Sequence, residues 1–366
     1  MNNIKKIGLT ALAGSLVTLG SAQAGEMSVS GGINTTLKFG KGGGNTGRTI
    51  GADRDFTFSG GGELDNGTTF TMSTTSEDAL GLSSSTTTIT TPSLGSFQVG
   101  SGTGSAAGSY DEEVPQAYEQ ISDAKQNMAN QVGDFMDNNH VMYTSPTLEL
   151  MGASITGHLG YSPQATDSYT STGDGGQTTY SATIGEGKEA GITIAYEGLK
   201  VGFYGAERDR TMPEALSGTG NYQHDEFNGA WYAKYSMGPV SIGYSEFYMD
   251  AGVTLANETV NAAKTRRAVG GIYTSESMSI AFNVNDNLSV SYAKAEDTYD
   301  AQGGSTAGAV TGDAVADVSM DMKSIQAAYS MGAMSIKAYR TETDNAAYST
   351  TGGSLTVNEV ALGLSF

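Results

Sequence analysis

The last eight residues, Glu359-Val360-Ala361-Leu362-Gly363-Leu364-Ser365-Phe366, alternate strictly. Val360, Leu362, Leu364 and Phe366 fall on one face of an extended strand, with Glu359, Ala361, Gly363 and Ser365 on the other. The same period of two recurs upstream. Val29, Ile33, Leu37 and Phe39 oppose Ser28, Ser30, Asn34 and Lys38. Ile155, Leu159 and Tyr161 oppose Ser154, Thr156 and His158, and Met278, Ile280, Phe282 and Val284 oppose Ser279 and Asn283. No long stretch keeps a helical period, so the class is all-β.

Composition narrows the field further. The chain has 366 residues, 51 glycines, 6 prolines, no cysteine and a formal charge of −20. Without cysteine there is no disulfide framework, thiolate zinc site or thiol nucleophile. Nineteen Lys+Arg against 39 Asp+Glu exclude a nucleic-acid partner, which needs a basic footprint. Nineteen Tyr and 11 Phe argue against disorder despite the abundance of Gly, Ser and Thr.

Residues 1–24 carry the three parts of a secretory signal: Lys5 and Lys6, the apolar run Ile7 to Leu19, and the small-residue site Ala22-Gln23-Ala24. Cleavage after Ala24 removes two lysines and no acid, leaving one domain, 25–366, with a charge of −22. Its longest apolar run is four residues, Ala230 to Ala233, far short of the ~20 a transmembrane helix needs. The expectation is export without a helical anchor.

Seven tight turns separate alternating runs: Asn66-Gly67, Ser93–Gly95, Ser145–Thr147, Glu197-Gly198, Gly238-Pro239, Asp286-Asn287 and Gly332-Ala333. Eight longer polar connections lie near 40–52, 76–82, 104–137, 163–188, 208–225, 251–274, 298–319 and 344–353. Seven turns and eight loops join sixteen strands. Short turns at one end and long loops at the other mark an outer-membrane barrel, whose apolar face meets lipid, rather than a soluble sandwich. Tyr143, Tyr196, Tyr235 and Tyr329 precede short turns, and Tyr161 and Tyr292 lie towards the opposite ends, as two aromatic girdles would. Sixteen strands leave an aqueous channel, and Ser, Thr, Asn, Gly and Lys on the inner parity are expected to line it.

The Lys-bearing signal, the turn-and-loop rhythm and the terminal Phe366 resemble the general diffusion porins of Gram-negative outer membranes. The Tyr143-Thr-Ser-Pro146 segment after a long third loop is similar to the alphaproteobacterial branch. The resemblance implies a homotrimer of sixteen-stranded antiparallel barrels in the outer membrane, amid lipid and lipopolysaccharide, with the third loop folded inward as a constriction. It also implies that Phe366 is read by the barrel assembly machinery.

Residues 104–137 hold Asp111, Glu112, Glu113, Glu119, Asp123, Asp134 and Asp137 against a single Lys125. The stretch from Pro115 to Met136 is expected to form a short helix, with Ile121, Met128 and Val132 against the wall. Asp111, Glu112, Glu113, Glu119 and Asp123 are the candidate acidic lip of the constriction. Carboxylate rings favour cations. Lys38, Lys200, Lys234 and Lys337 share the inner parity and are the candidate basic wall, whereas Arg54 shares parity with Phe56 and Phe58 and should face outward. The chain is poorer in wall arginines than the family pattern and lacks its acidic-aromatic-glycine segment in the third loop. Cation preference is expected.

No cofactor is expected, although Asp111, Glu112 and Glu113, or Asp297 and Asp300, are candidate Ca²⁺ ligands by oxygen chemistry alone. Gly102-x-Gly104-x-x-Ala107 lacks the βαβ context of a dinucleotide site. His140, His158 and His224 are too scattered for zinc, and no nucleophile–base pair suggests an enzyme. Two other readings stay open: a substrate-selective sixteen-stranded porin and a secreted surface adhesin. Only Tyr204, Tyr232 and Tyr339 of the strand aromatics have inner parity, which favours the general pore.

Overall fold

A computed structural model describes residues 27–42, 46–77, 81–103, 106–124, 136, 139–165, 184–210, 222–250, 252–254, 272–300, 305–306, 309–310, 317–348 and 354–366. The signal segment, Lys125, Met128, Val132, Asp134 and Asp137 lie outside these residues.

Sixteen antiparallel strands close on themselves. The first five are β1 (Met27–Gly42), β2 (Gly47–Glu63), β3 (Thr69–Glu77), β4 (Gly81–Thr91) and β5 (Gly95–Ser101). Strand β6 comes in two pieces, His140–Thr144 and Leu148–Leu150, both paired with β7 (Ala153–Ser162). Then come β8 (Ile184–Tyr196), β9 (Leu199–Arg210), β10 (Glu226–Met237), β11 (Val240–Asp250) and β12 (Ile272–Asn283). The last four are β13 (Leu288–Asp300), β14 (Val318–Met331), β15 (Met334–Asp344) and β16 (Leu355–Ser365). Each pairs with its neighbour, and β16 pairs with β1 from Gly42↔Leu355 to Gly32↔Ser365. Closure removes every sheet edge, the condition for a β-structure in lipid. Phe366 completes the seam: its N–H donates to the Gly31 carbonyl at 3.0 Å and its carbonyl accepts from the Gly31 N–H at 3.1 Å.

Burial is inverted relative to a soluble protein. Along β16, Val360, Leu362 and Leu364 are 40–47% exposed while Glu359 and Ala361 are 5% and 1%. Met278, Ile280 and Phe282 on β12 repeat this at 41–51% against buried Ser277, Ser279 and Ala281. An apolar exterior of this kind is a lipid-facing band. Tyr196, Tyr235, Tyr329, Tyr161 and Tyr292 stand outward with it.

Several boundaries differ from the sequence reading. The stretch 145–147 is a break inside β6, and the turn into β7 is Met151-Gly152, both with left-handed φ (51° and 85°). Pro146 misled the assignment because proline interrupts a ladder without having to turn the chain. The first two "long" connections shrink to 43–46 and 78–80, since β1 runs to Gly42 and β2 starts at Gly47. Gly40, Gly42, Gly47, Gly51 and Gly81 sit in strands, where a closing sheet tolerates them. Strands β8 and β12 start at Ile184 and Ile272, inside stretches read as loop.

Candidate functional site

Strand register assigns one face of each strand to the interior. Starting at Lys38, the inner row runs through its cross-strand partner Glu359 on β16, then Tyr339 on β15, Gln326 on β14 and Ser291 on β13. Lys200 and Lys234 are paired across β9 and β10, and Gly243 opposes Lys234 from β11. All four candidate lysines therefore face inward. Arg54 pairs with Ile33 on the outer face, as its parity implies.

Residues 106–123 follow this inner wall strand by strand. The Ala106 N–H donates to Glu189 of β8 at 3.0 Å. The Tyr110 ring lies over Gly191 and stacks on Tyr204 of β9 at 5.2 Å, and its hydroxyl accepts from Thr193 at 3.3 Å. A Cβ on Gly191 would sit 2.6 Å from that ring, so only glycine admits it. Glu113 pairs with Lys234 of β10. Pro115 then passes so close to Gly243 of β11 that any side chain there would overlap its ring, and its carbonyl accepts from Ser279 of β12 at 2.6 Å. The Ala117 N–H donates to Ser291 of β13 at 2.9 Å and the Tyr118 N–H to Gln326 of β14 at 2.8 Å. The Tyr118 ring meets Tyr339 of β15, centroids 5.9 Å apart. Its hydroxyl ends the traverse by donating to Glu359 of β16 at 2.8 Å. Nine consecutive strands thus serve as its footing.

Met142 of β6 still packs against the buried cluster that includes Tyr110, whereas the wall of β1–β5 carries no such cover among the described residues. Its inner face is hydroxylated, with cross-strand pairs Thr57–Thr75 at 3.0 Å, Ser59–Ser73 at 3.3 Å and Thr90–Ser96 at 2.9 Å. Strand spacing puts these hydroxyls opposite one another.

The five acidic candidates separate into roles. Glu112 is 4% exposed and turned into its own segment. Its carboxylate accepts from the Ile121 N–H at 2.7 Å and the Ser122 hydroxyl at 2.7 Å, across a left-handed backbone (φ 42°). Burial pushes its carboxyl up to about 7. Glu112 is thus an internal brace instead of part of a lip. Glu113 is matched by Lys234. Asp111 lends its carbonyl to Gln120 at 2.9 Å. Glu119 and Asp123 are adjacent: burial and then the Asp123 carboxyl push Glu119 up to about 7, and burial also raises Asp123.

The basic candidates divide in the same way. Lys38 bridges to Glu359 at 2.6 Å and Lys234 to Glu113. Lys200 and Lys337 instead lie over rings, of Tyr232 at 5.6 Å and Tyr118 at 5.0 Å, with no carboxylate at ion-pair distance among the described residues.

The calcium candidates do not assemble. Glu112 and Glu113 turn to different partners, and Asp297 faces inward, accepting from Tyr348, whereas Asp300 has the opposite parity. Three carboxylates that do converge, within 4.8 Å, are Glu207, Asp209 and Asp225. The expected helix after Pro115 shows, in its described part, only a 3₁₀ turn at Ile121–Ala124, with Ile121 fully buried.

The lumen is also less polar than expected. Towards the long-loop ends of β11–β14, Phe247, Met249, Tyr273, Tyr299, Met320 and Met322 face inward, buried with Ile121, Met136 and Tyr348. Tyr273 and Tyr299 add to the inner aromatics, their centroids 4.9 Å apart. Sequence reading also missed Glu189, which accepts from the Tyr204 hydroxyl at 2.7 Å, and the buried pair Arg208–Glu226. Parity alone would have placed Glu189 and Glu359 inside.

A closed sixteen-stranded barrel with an apolar exterior and a charged, hydroxylated interior defines an outer-membrane porin. The chain belongs to the Gram-negative porin family, whose model matches residues 8–304. Its fold is similar to OmpT of Vibrio cholerae in the loop L8 deletion form (TM-score 0.65, 13% identity, 94% of this chain and 100% of that one). It is likewise similar to Salmonella typhi OmpF in a complex with daunomycin (TM-score 0.65, 13% identity, 94% and 98%). A mutant form of Rh. blastica porin aligns at TM-score 0.53 and 14% identity over 93% of this chain and 100% of that one. Comparison with curated proteins returns no match.

Proposed function

We propose that this outer-membrane porin is a general diffusion channel with a preference for cations, passing ions and small hydrophilic solutes. The observation that carries this reading is the ordered traverse of residues 106–123 across the interior from β8 to β16, opposite a hydroxylated wall on β2–β5. Solute passes between them, and the traverse is the constriction. Lys38 and Lys234 are cancelled by Glu359 and Glu113, Glu119 and Asp123 stand against the remaining Lys200 and Lys337, and the excess of 39 Asp+Glu over 19 Lys+Arg in the chain supports the cation preference.

The working form is a homotrimer after export and removal of residues 1–24, with Phe366 as the assembly signal and lipopolysaccharide around the outer rim. The outer face of β2–β4 supports subunit contact. It carries Arg54 in the row of Ile33 and Leu364, with Thr74 opposite Phe58 and Thr87 opposite Met72 further along the same face, all exposed. Arginine facing lipid near the midplane costs ~2–4 kcal/mol, which a covering copy relieves.

Reversal potentials in a salt gradient across a planar bilayer test the selectivity. A potential on the cation side is expected, and clear anion selectivity overturns it. Heat-modifiable migration on a gel tests the trimer, with a single monomer band before heating as the refuting result.

A further inference from the structure

A cavity of about 440 Å³ opens at the short-turn end of the barrel, between β2 and the β14–β15 turn. Its lining includes Asn34, Asp53, Asp55, Ser335, Lys337 and Gly363. Register places these in rows on the inner wall. One row is Ser335–Gly363–Asn34–Asp53, and the row above it runs Lys337–Ala361–Thr36–Gly51. Asp55 follows Asp53 on the same face of β2, opposite Gly32. The cavity therefore has a cation on its β15 side, two carboxylates on its β2 side and a floor of small residues between. A Cβ on Gly363 would lie 2.6 Å from Ser335 Oγ, so the floor is as low as the backbone allows.

We propose that this cavity is a binding station for small zwitterions of the amino-acid type, resting on the channel reading above. Three strand steps of about 4.8 Å separate β15 from β2, or about 14 Å along the sheet. Lys337 stands at the β15 end of that span, its ammonium over the Tyr118 ring, and Asp53 and Asp55 stand at the β2 end, so the two ends of the cavity carry opposite charge. A lone anion meets Asp53 and Asp55, and a lone cation meets Lys337. A zwitterion satisfies both ends at once.

Two further features fit this ligand. Lys337 has no carboxylate partner among the described residues, unlike Lys38 and Lys234, so its charge is available to a solute carboxylate. Asn34 Oδ1 is shielded from solvent without a hydrogen-bond partner among the described groups, an acceptor suited to an ammonium N–H. Asp53 stands exposed beside it.

The test uses the purified full-length protein in vesicles at pH 7, comparing flux of glycine with glycolamide, a neutral solute of equal size, and glycinamide, a cation. Glycine flux should saturate with concentration and exceed glycolamide flux. An ion pair at a partly exposed site changes affinity by about threefold. The glycine-to-glycolamide ratio should therefore fall about threefold in Asp53→Asn and again in Lys337→Met. A ratio unchanged by either substitution, or glycine flux that tracks glycolamide without saturating, overturns the station. So does a glycinamide flux that saturates and falls in Asp53→Asn as glycine flux does while Lys337→Met leaves both unchanged, the mark of a plain cation site. In these last cases KCl conductance persists and the channel reading stands; vesicles without KCl conductance overturn both.

Discussion

Replacing Glu359 by Gln tests whether the far end of the traverse is held from β16. The native carboxylate is 5% exposed and receives the Tyr118 hydroxyl at 2.8 Å, the Tyr339 hydroxyl at 3.2 Å and the Lys38 ammonium at 2.6 Å. Glutamine keeps the shape but offers one acceptor oxygen and a donor NH₂ to three donors, so at least one contact fails. Hydrogen bonds to charged groups contribute about 1.5–3 kcal/mol. Lys38 recovers part of this by turning to lumen water, because its side chain is already 28% exposed. A net loss of about 2 kcal/mol remains, or roughly a thirtyfold shift towards release of the Tyr118 end. The Tyr118→Phe variant removes only one of these bonds and leaves the Lys38 and Tyr339 contacts intact, so it should show about 1.5 kcal/mol, a smaller effect in the same direction. In single-channel recordings both variants should add open-channel noise and voltage-dependent closures. Glu359→Gln alone should also reduce cation selectivity, since Lys38 is left unopposed. Recordings with native noise and native reversal potential would refute the anchoring role. A selectivity change without added noise would show that Glu359 acts through charge and not through position.

Other perturbations follow from the same geometry. Cation preference should weaken as pH falls from 8 to 6, because Glu119 has its carboxyl pushed up to about 7 and becomes neutral below that value. Glu119→Gln should shrink that pH step to the part owed to Glu112, whose carboxyl is also pushed up to about 7, which reversal potentials at each pH would show; an undiminished step disproves the assignment. Gly243→Val places methyls against the Pro115 ring, an overpacking that costs about 1–3 kcal/mol. It should alter single-channel conductance while the barrel still folds by circular dichroism, and native conductance would contradict the close approach. Leu362→Arg on the lipid face should cost ~2–4 kcal/mol and lower folding yield into vesicles. A yield equal to wild type would mean that Leu362 does not face lipid.

Strand count and face were legible because alternation is a local signal. Val360, Leu362 and Leu364 must share a side whatever the rest of the chain does, and sixteen strands follow from counting such runs. Turn assignment depended on whether a proline ends a strand or only interrupts it. Pro146 interrupts, and nothing near Tyr143 in the sequence distinguishes the two cases. Roles inside the lumen were still less accessible. Asp111, Glu112 and Glu113 are consecutive acids of equal local character, yet one braces its segment, one is matched by Lys234, and one contributes its backbone carbonyl. Their fates are decided by partners 121 positions away for Lys234 and nine for Ile121, and no single window over the sequence spans both.

The uneven interior explains why composition misjudged the lumen. A water-filled pore needs only one wetted wall if the other carries a folded segment, and that segment requires a surface to sit on. Strands β8–β16 supply one with Tyr204, Tyr232, Phe247, Met320 and Met322, which would be unfavourable against water but become core once Tyr110, Ile121 and Met136 cover them. Strands β1–β5 have no such partner among the described residues and stay with Thr57, Ser59, Ser73 and Thr75. Inner parity therefore specifies two environments. The one that a residue receives depends on its angular position around the barrel relative to residues 106–123, not on its face of the strand. Inner-facing apolar residues on β11–β14 are accordingly the footing of residues 106–123: trimming Met320 or Met322 to Ala should loosen that segment before it destabilises the barrel wall, whose ladder bonds do not involve those side chains.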